Sequence, residues 1–155
     1  MTAFQGTPQS VRLGSSVQQM LGKHMLSCYP QEACGILLGT AAAGGMCISS
    51  YVPIRNVAPD PLHFFVPEPE AWIRVLYHEP SLVGLFHSHP NSAPWPSPAD
   101  LNGLAALGPE FKLYLIGSPG AGSGLPVFNG FFIQRTTGNG SATAYSLQQV
   151  PLSPA

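Results

Sequence analysis

Leu82-Val83-Gly84-Leu85-Phe86-His87-Ser88-His89-Pro90 sets two histidines directly after an apolar run. Leu82 to Phe86 is apolar throughout and reads as a buried strand that runs directly into His87. Two histidines at i and i+2 project from the same side of an extended chain, so His87 and His89 can both reach one ion. Imidazole binds zinc through a neutral nitrogen, and a carboxylate makes a good third ligand; Asp100 is the candidate. Three protein ligands leave the fourth tetrahedral position to water, the pattern of a catalytic and not a structural site. Zinc lowers the pKa of such a water to roughly 7, so that a neighbouring carboxylate can take its proton.

Working outward, Val17, Met20, Leu21, His24, Met25 and Cys28 recur at helical spacing and predict an amphipathic helix over about 11–28, ended by Tyr29-Pro30. Ala33 to Gly39 reads as a buried strand. Ala41 to Gly45 is a small-residue turn, and Met46 to Ile54 is the partner strand of a hairpin. Residues 55–61 read as a loop and His63 to Val66 as a short strand. Pro67 to His78 reads as a helix with Trp72, Val75 and Leu76 facing inward. After a proline-rich loop from Pro90 to Pro96, Ser97 to Leu107 predicts a short helix and Phe111 to Ile116 a strand. Ser118 to Gly124 is a glycine-rich loop. Val127 to Arg135 and Ala142 to Leu147 complete the sheet. The expected picture is a mixed α/β (α+β) domain over 11–149, with about seven strands, two or three helices and frequent hairpins. Residues 1–10 and 150–155 read as flexible ends.

Composition narrows the function classes. The 155 residues suit one domain. Only 8% are charged, with a formal net charge of -1, so no basic field for nucleic acid exists. No apolar run approaches the ~20 residues that span a bilayer, and Met1 to Ser10 lacks the pattern of a signal peptide. Cys28, Cys34 and Cys47 form an odd set without metal or redox spacing. They read as reduced thiols of a cytoplasmic protein.

Each motif also has a plain reading. An isolated His-x-His can be ordinary strand sequence. Ser97-Pro98-Ala99-Asp100 is a fair capping box, and a capped helix start could also aim Asp100 at a metal while Ser97 bonds nearby. Glu32 taken alone is a surface carboxylate after a helix. Cys34 reads as a small buried hydrophobe more readily than as a nucleophile. Ser88 points away from the histidines, toward packing or a hydrogen bond. His24, His63 and His78 have no pattern around them.

The whole arrangement resembles the signature of the JAMM (MPN+) metalloprotease family: an upstream Glu, then His-Ser/Thr-His, seven residues, Ser, two residues and Asp. Here these are Glu32, His87-Ser88-His89, Pro90 to Pro96, Ser97, Pro98-Ala99 and Asp100. The flanks are similar to the small bacterial members. Pro30-Gln31-Glu32-Ala33-Cys34-Gly35 matches their stretch before an apolar strand, and Pro53-Ile54-Arg55-Asn56 resembles a recurrent Asn-containing segment. The resemblance covers roughly residues 15–120 and weakens beyond.

The resemblance implies a cytidine-deaminase-like JAMM/MPN fold, a single mixed, largely antiparallel curved sheet flanked by two or three helices. It implies one Zn2+ per chain held by His87, His89 and Asp100. Glu32 would be the general base and then the acid toward the leaving amine, and Ser97 would donate to the developing oxyanion. The implied activity is that of a peptidase or isopeptidase at the C-terminus of a ubiquitin-like protein, of sulfur-carrier type because the chain lacks the insertions of polyubiquitin-specific members. The carrier tail would lie as an added strand. Oligomeric state is left open, a homodimer included.

The alternative is a non-catalytic MPN-type scaffold, whose relatives usually lose these ligands. Other His-x-His enzymes fit poorly. A cupin wants a Glu a few residues later, an amidohydrolase needs a barrel of about 250 residues, and a zinc deaminase needs H-x-E and PCxxC.

Overall fold

The structure, a computed structural model, describes residues 9–120, 124–138, 140 and 142–154. The elements in chain order are β1 (Ser10–Leu13), α1 (Ser15–Cys28), β2 (Cys34–Ala42), β3 (Gly45–Ile54), α2 (Pro69–His78), β4 (Leu82–Ser88), α3 (Pro98–Gly103) with a 3-10 turn over Leu104–Ala106, β5 (Leu113–Ser118), β6 (Val127–Thr137), β7 (Thr143–Val150) and β8 (Leu152–Ser153). The strands form one sheet in the order β7-β6-β5-β4-β2-β3-β1-β8. Four of its seven pairings are antiparallel. The mixed, mostly antiparallel sheet with three α-helices is the architecture that the sequence predicts.

Alternation along the central strands sorts the core into two layers. Leu37 of β2 and Phe86 of β4 join Val17, Leu21 and Met25 of α1 on one face. These three α1 residues recur every four positions, which gives a helix one buried stripe. Ile36 and Leu85 face the other way, toward Val75 of α2, Leu104 and Phe111. His87 and His89 follow Leu85 in parity and so open on the α2 face.

Several expectations are corrected. The helix starts at Ser15 and not at residue 11, because Val11 and Leu13 are buried on either side of an exposed Arg12, the period-two pattern of a strand. His63 to Val66 is not a strand; only an isolated bridge joins Asn56 and Pro67. Its backbone is taken up by a side chain instead: Asn56 Nδ2 donates to the Phe64 carbonyl and Asn56 Oδ1 accepts from Val66 N–H, each at 3.0 Å. The second helix begins at Pro69, after the carboxylate of Glu68 has capped Glu70 and Ala71. The C-terminal residues continue the sheet through Ser153. Val150 is buried in the core, and Leu152–Ser153 pair in parallel with β1. With β1 and β8 added and 63–66 removed, the sheet has eight strands. Residues 1–8 and part of the Ser118 to Gly124 loop lie outside the described residues.

Candidate metal centre and active site

Register places the site. In the antiparallel β2–β4 ladder Cys34 stands opposite His87, and Ala33 and Ser88 are joined beyond it, Ser88 N–H donating to the Ala33 carbonyl. Directly opposed residues share a face. Glu32, two residues before Cys34, therefore comes to the face that carries His87 and His89. The Ser88 side chain turns the other way and accepts from Ala33 N–H at 2.8 Å, the hydrogen-bonding role expected of it.

Glu32, His87, His89 and Asp100 are all buried, and His87 completely so. One ligand atom from each of His87, His89 and Asp100 lies within 4.8 Å of the others, a group that could hold a metal ion. His87 Nε2 is 3.3 Å from Asp100 Oδ1, and His89 Nε2 is 3.2 Å from Asp100 Oδ2. On its other side His87 Nδ1 is 3.3 Å from Glu32 Oε1. These distances are those of ion pairs, yet neither His87 nitrogen has an aligned hydrogen-bond partner. Two unsatisfied nitrogens on a fully buried ring are costly. A cation on the ring satisfies one of them, so the donor set fits a metal.

The surroundings orient the ligands. His89 Nδ1 lies 2.9 Å from the Ala93 carbonyl, which only accepts, so Nδ1 donates there and Nε2 is the nitrogen that faces Asp100. Ser97 and Asp100 form a complete capping box: Asp100 N–H donates to Ser97 Oγ at 3.1 Å, and Ser97 N–H donates to Asp100 Oδ2 at 2.9 Å. The capping reading of that motif holds, and the cap sets the Asp100 carboxylate beside both histidines.

The charges follow. Burial works against a charged His87, but the carboxylates of Asp100 and Glu32 outweigh it and raise the pKa to about 9. Burial likewise works against a charged Asp100; His87, His89 and the Ser97 N–H reverse this and hold the carboxyl far below the usual range. Burial pushes the Cys34 thiol up to about 12, which leaves it without nucleophilic thiolate near neutral pH.

Three further side chains bear on the site, of which only Asn56 lies in a segment that the sequence singles out. Phe65 stacks on His87 at 4.4 Å between ring centroids, and Tyr114 meets the same ring edge-on at 5.4 Å. Asn56 Nδ2 donates to the Glu32 carbonyl at 3.0 Å, while Glu32 N–H donates to the Pro61 carbonyl at 2.8 Å. The 56–66 loop is thus fastened to the backbone of Glu32. Of the unassigned histidines, His63 lines both cavities that Glu32 lines, whereas His24 bonds Tyr51 and His78 closes α2.

Fold and site together define a mixed α+β domain with a buried His-His-Asp group at the end of its central strand and a carboxylate beside it. The family model described as prokaryotic homologs of the JAB domain matches residues 14–128, and the chain belongs to that family. A protein named Desampylase from Haloferax volcanii is 36% identical over 94 residues, 58% of this chain and 64% of that protein. A protein named "Probable TtuB-protein conjugate cleaving protease" from Thermus thermophilus is 32% identical over 82 residues, 50% of this chain and 52% of that one. The chain spans about half to two thirds of the length of these relatives. The solution structure of protein DSY2949 from Desulfitobacterium hafniense superposes with a TM-score of 0.69 at 23% identity, covering 94% of both chains, and shares the fold. Among the described residues no helix is long and apolar enough to cross a membrane.

Proposed function

We propose that the protein is a zinc-dependent peptidase or isopeptidase that hydrolyses the bond following the C-terminal tail of a ubiquitin-like, sulfur-carrier-type protein. The observation that carries this reading is the convergence of His87, His89 and Asp100 with Glu32 against the same buried ring. The names of the two relatives, one a desampylase and one a conjugate-cleaving protease, support the substrate class.

His87, His89 and Asp100 would hold the ion, and two imidazoles with one carboxylate suit zinc. When bound, zinc supplies a Lewis acid that polarises the scissile carbonyl and acidifies water. Glu32 lines both cavities at the site, which leaves its carboxylate open to take a proton from water and deliver it to the leaving amine. Ser97 spends its oxygen lone pair on the cap and not its proton, which leaves the hydroxyl to donate to the carbonyl oxygen. The Asn56 bond to the Glu32 backbone keeps the carboxylate beside His87. The sum is hydrolysis: the acyl C–N bond breaks, the carbon gains the hydroxyl of water, and the nitrogen gains its proton.

The reading is tested by incubating the purified protein with ubiquitin-like carriers that bear short C-terminal extensions or lysine conjugates, with a chelated control. Mass spectrometry is expected to show release of the intact carrier ending at its own tail, abolished by chelation. A folded protein that binds no metal and cuts nothing would instead be the scaffold.

A further inference from the structure

Tyr114 is a buried polar side chain that the proposed chemistry leaves without a part. On β5 it stands beside Leu85 of β4 in the parallel register, and so joins the face on which His87 opens. It is 2% exposed. Its ring meets His87 edge-on at 5.4 Å, and it lines the same cavity as Asp100 and Glu32. Its remaining surroundings are apolar and include Leu85, Leu104 and Phe131.

A phenylalanine would fill this space and offer His87 the same edge, without the cost of burying a hydroxyl. The oxygen therefore has use only toward a polar group, because a buried phenol needs a partner. The apolar neighbours provide none. Burial and the carboxylates of Asp100 and Glu32 all raise the phenol far above its ordinary value, so it keeps its proton and is a neutral donor at any working pH. Of the two carboxylates, Glu32 faces His87 Nδ1, whereas Asp100 faces His87 Nε2 and is directed at the phenol as well. The contacts on Asp100 described so far come from the start of α3 and from β4: Ser97 N–H, His87 and His89. Tyr114 adds one from β5.

We propose that Tyr114 is a positioning residue of the metal centre. Its hydroxyl donates to the Asp100 carboxylate while its ring edge holds the plane of His87, so that one side chain orients two ligands. The inference rests on the reading that His87, His89 and Asp100 hold the ion. A partner of this kind favours metal binding because the ligands are aimed before the ion arrives, and its removal typically costs tenfold to a hundredfold in affinity.

The test compares the full chain with Tyr114→Phe, which keeps the ring and removes only the hydroxyl. Zinc affinity is read by competition with a chromophoric chelator, and ligand geometry by the visible absorption of the cobalt-substituted protein. The expected result is zinc binding weaker by roughly tenfold to a hundredfold, together with an altered cobalt spectrum. Tyr114→Leu, which removes the edge on His87 as well, is expected to bind zinc more weakly still. Zinc affinity equal to the parent's in Tyr114→Phe would overturn the inference, and a fall in kcat at saturating zinc alongside it would give the hydroxyl to Glu32 instead. A cobalt spectrum like the parent's, with only a lower melting temperature, would make Tyr114 a packing residue and overturn it too. Both results leave the metal centre in place. A folded parent that binds neither zinc nor cobalt would remove the metal reading and this inference with it.

Discussion

Ser97 and Asp100 are bonded to each other twice, side chain to backbone in both directions, and the same Asp100 oxygen that accepts from Ser97 N–H lies 3.2 Å from His89 Nε2. The start of α3 and the carboxylate proposed to hold the ion are one structure. Removing the cap hydroxyl frees Asp100 N–H and loosens the carboxylate. Ser97→Ala is expected to cost about 1 kcal/mol in denaturant unfolding and to lower turnover at least tenfold. Ser97→Thr, which restores the hydroxyl, is expected to recover most of the stability. Unchanged turnover in the alanine variant would separate Ser97 from the chemistry.

Asn56 holds the opposite wall. Its amide donates to the Glu32 and Phe64 carbonyls, and its oxygen accepts from Ala58 and Val66 N–H. Asn56→Ala leaves these groups to water or to no partner, at a cost of about 2 kcal/mol. Metal content is expected to stay near that of the parent, because no ligand is touched, while cleavage falls. A variant that loses metal in proportion to activity would show that Asn56 supports the ligands and not Glu32.

Tyr51 and His24 provide a pH response away from the site. Burial raises the Tyr51 phenol well above its ordinary value, so it stays protonated, and it is hydrogen-bonded to His24 Nδ1 at 2.7 Å. Burial lowers the pKa of His24 below 6.5. The unfolded chain therefore binds the proton first as pH falls. The stability that neutral His24 contributes is present above pH 6.5 and is lost as pH drops below it. Melting curves between about pH 5 and 8 are expected to show a steeper acid loss of Tm for the parent than for His24→Gln. Parallel curves would contradict this.

Gly35 lies under the same tyrosine. A Cβ there would stand 2.4 Å from the Val52 carbonyl oxygen and 2.5 Å from the Tyr51 hydroxyl. The backbone oxygen cannot swing aside as a side chain could. Gly35→Ala is expected to destabilise by about 3 kcal/mol, read from the urea midpoint. A loss below half of that would mean that β2 and β3 separate easily.

How much of this was legible in sequence depended on how local each cause was. His87 and His89 share a face because strand geometry repeats every two residues, and Ser97 and Asp100 meet because a helix start joins residues three apart. Both relations survive any tertiary arrangement, so spacing alone reveals them. Glu32 depends on the register of β2 against β4, which no local pattern encodes; only its place in the family signature pointed to it. Phe65 and Tyr114 reach His87 from a loop and a neighbouring strand, and nothing in their flanks marks them. Asn56 was visible as part of a recurrent segment, but its role as a clamp on the 56–66 loop appears only when its four bonds are drawn. That clamp is also why 63–66, which has the composition of a strand, is not one. β1 and β8 carry no local signature because each is short and they pair from opposite ends of the chain.

The central claim is that Glu32 performs the proton transfers beside an ion held by His87, His89 and Asp100. Metal content and single-substrate turnover of the parent and of Glu32→Gln, measured on the same preparations, test it most directly. The account predicts about one zinc per chain in both proteins, with turnover lower by roughly a hundredfold or more in the variant, the range of a lost general base. Equal turnover in the two proteins, or cleavage by a parent that holds no metal, would contradict it.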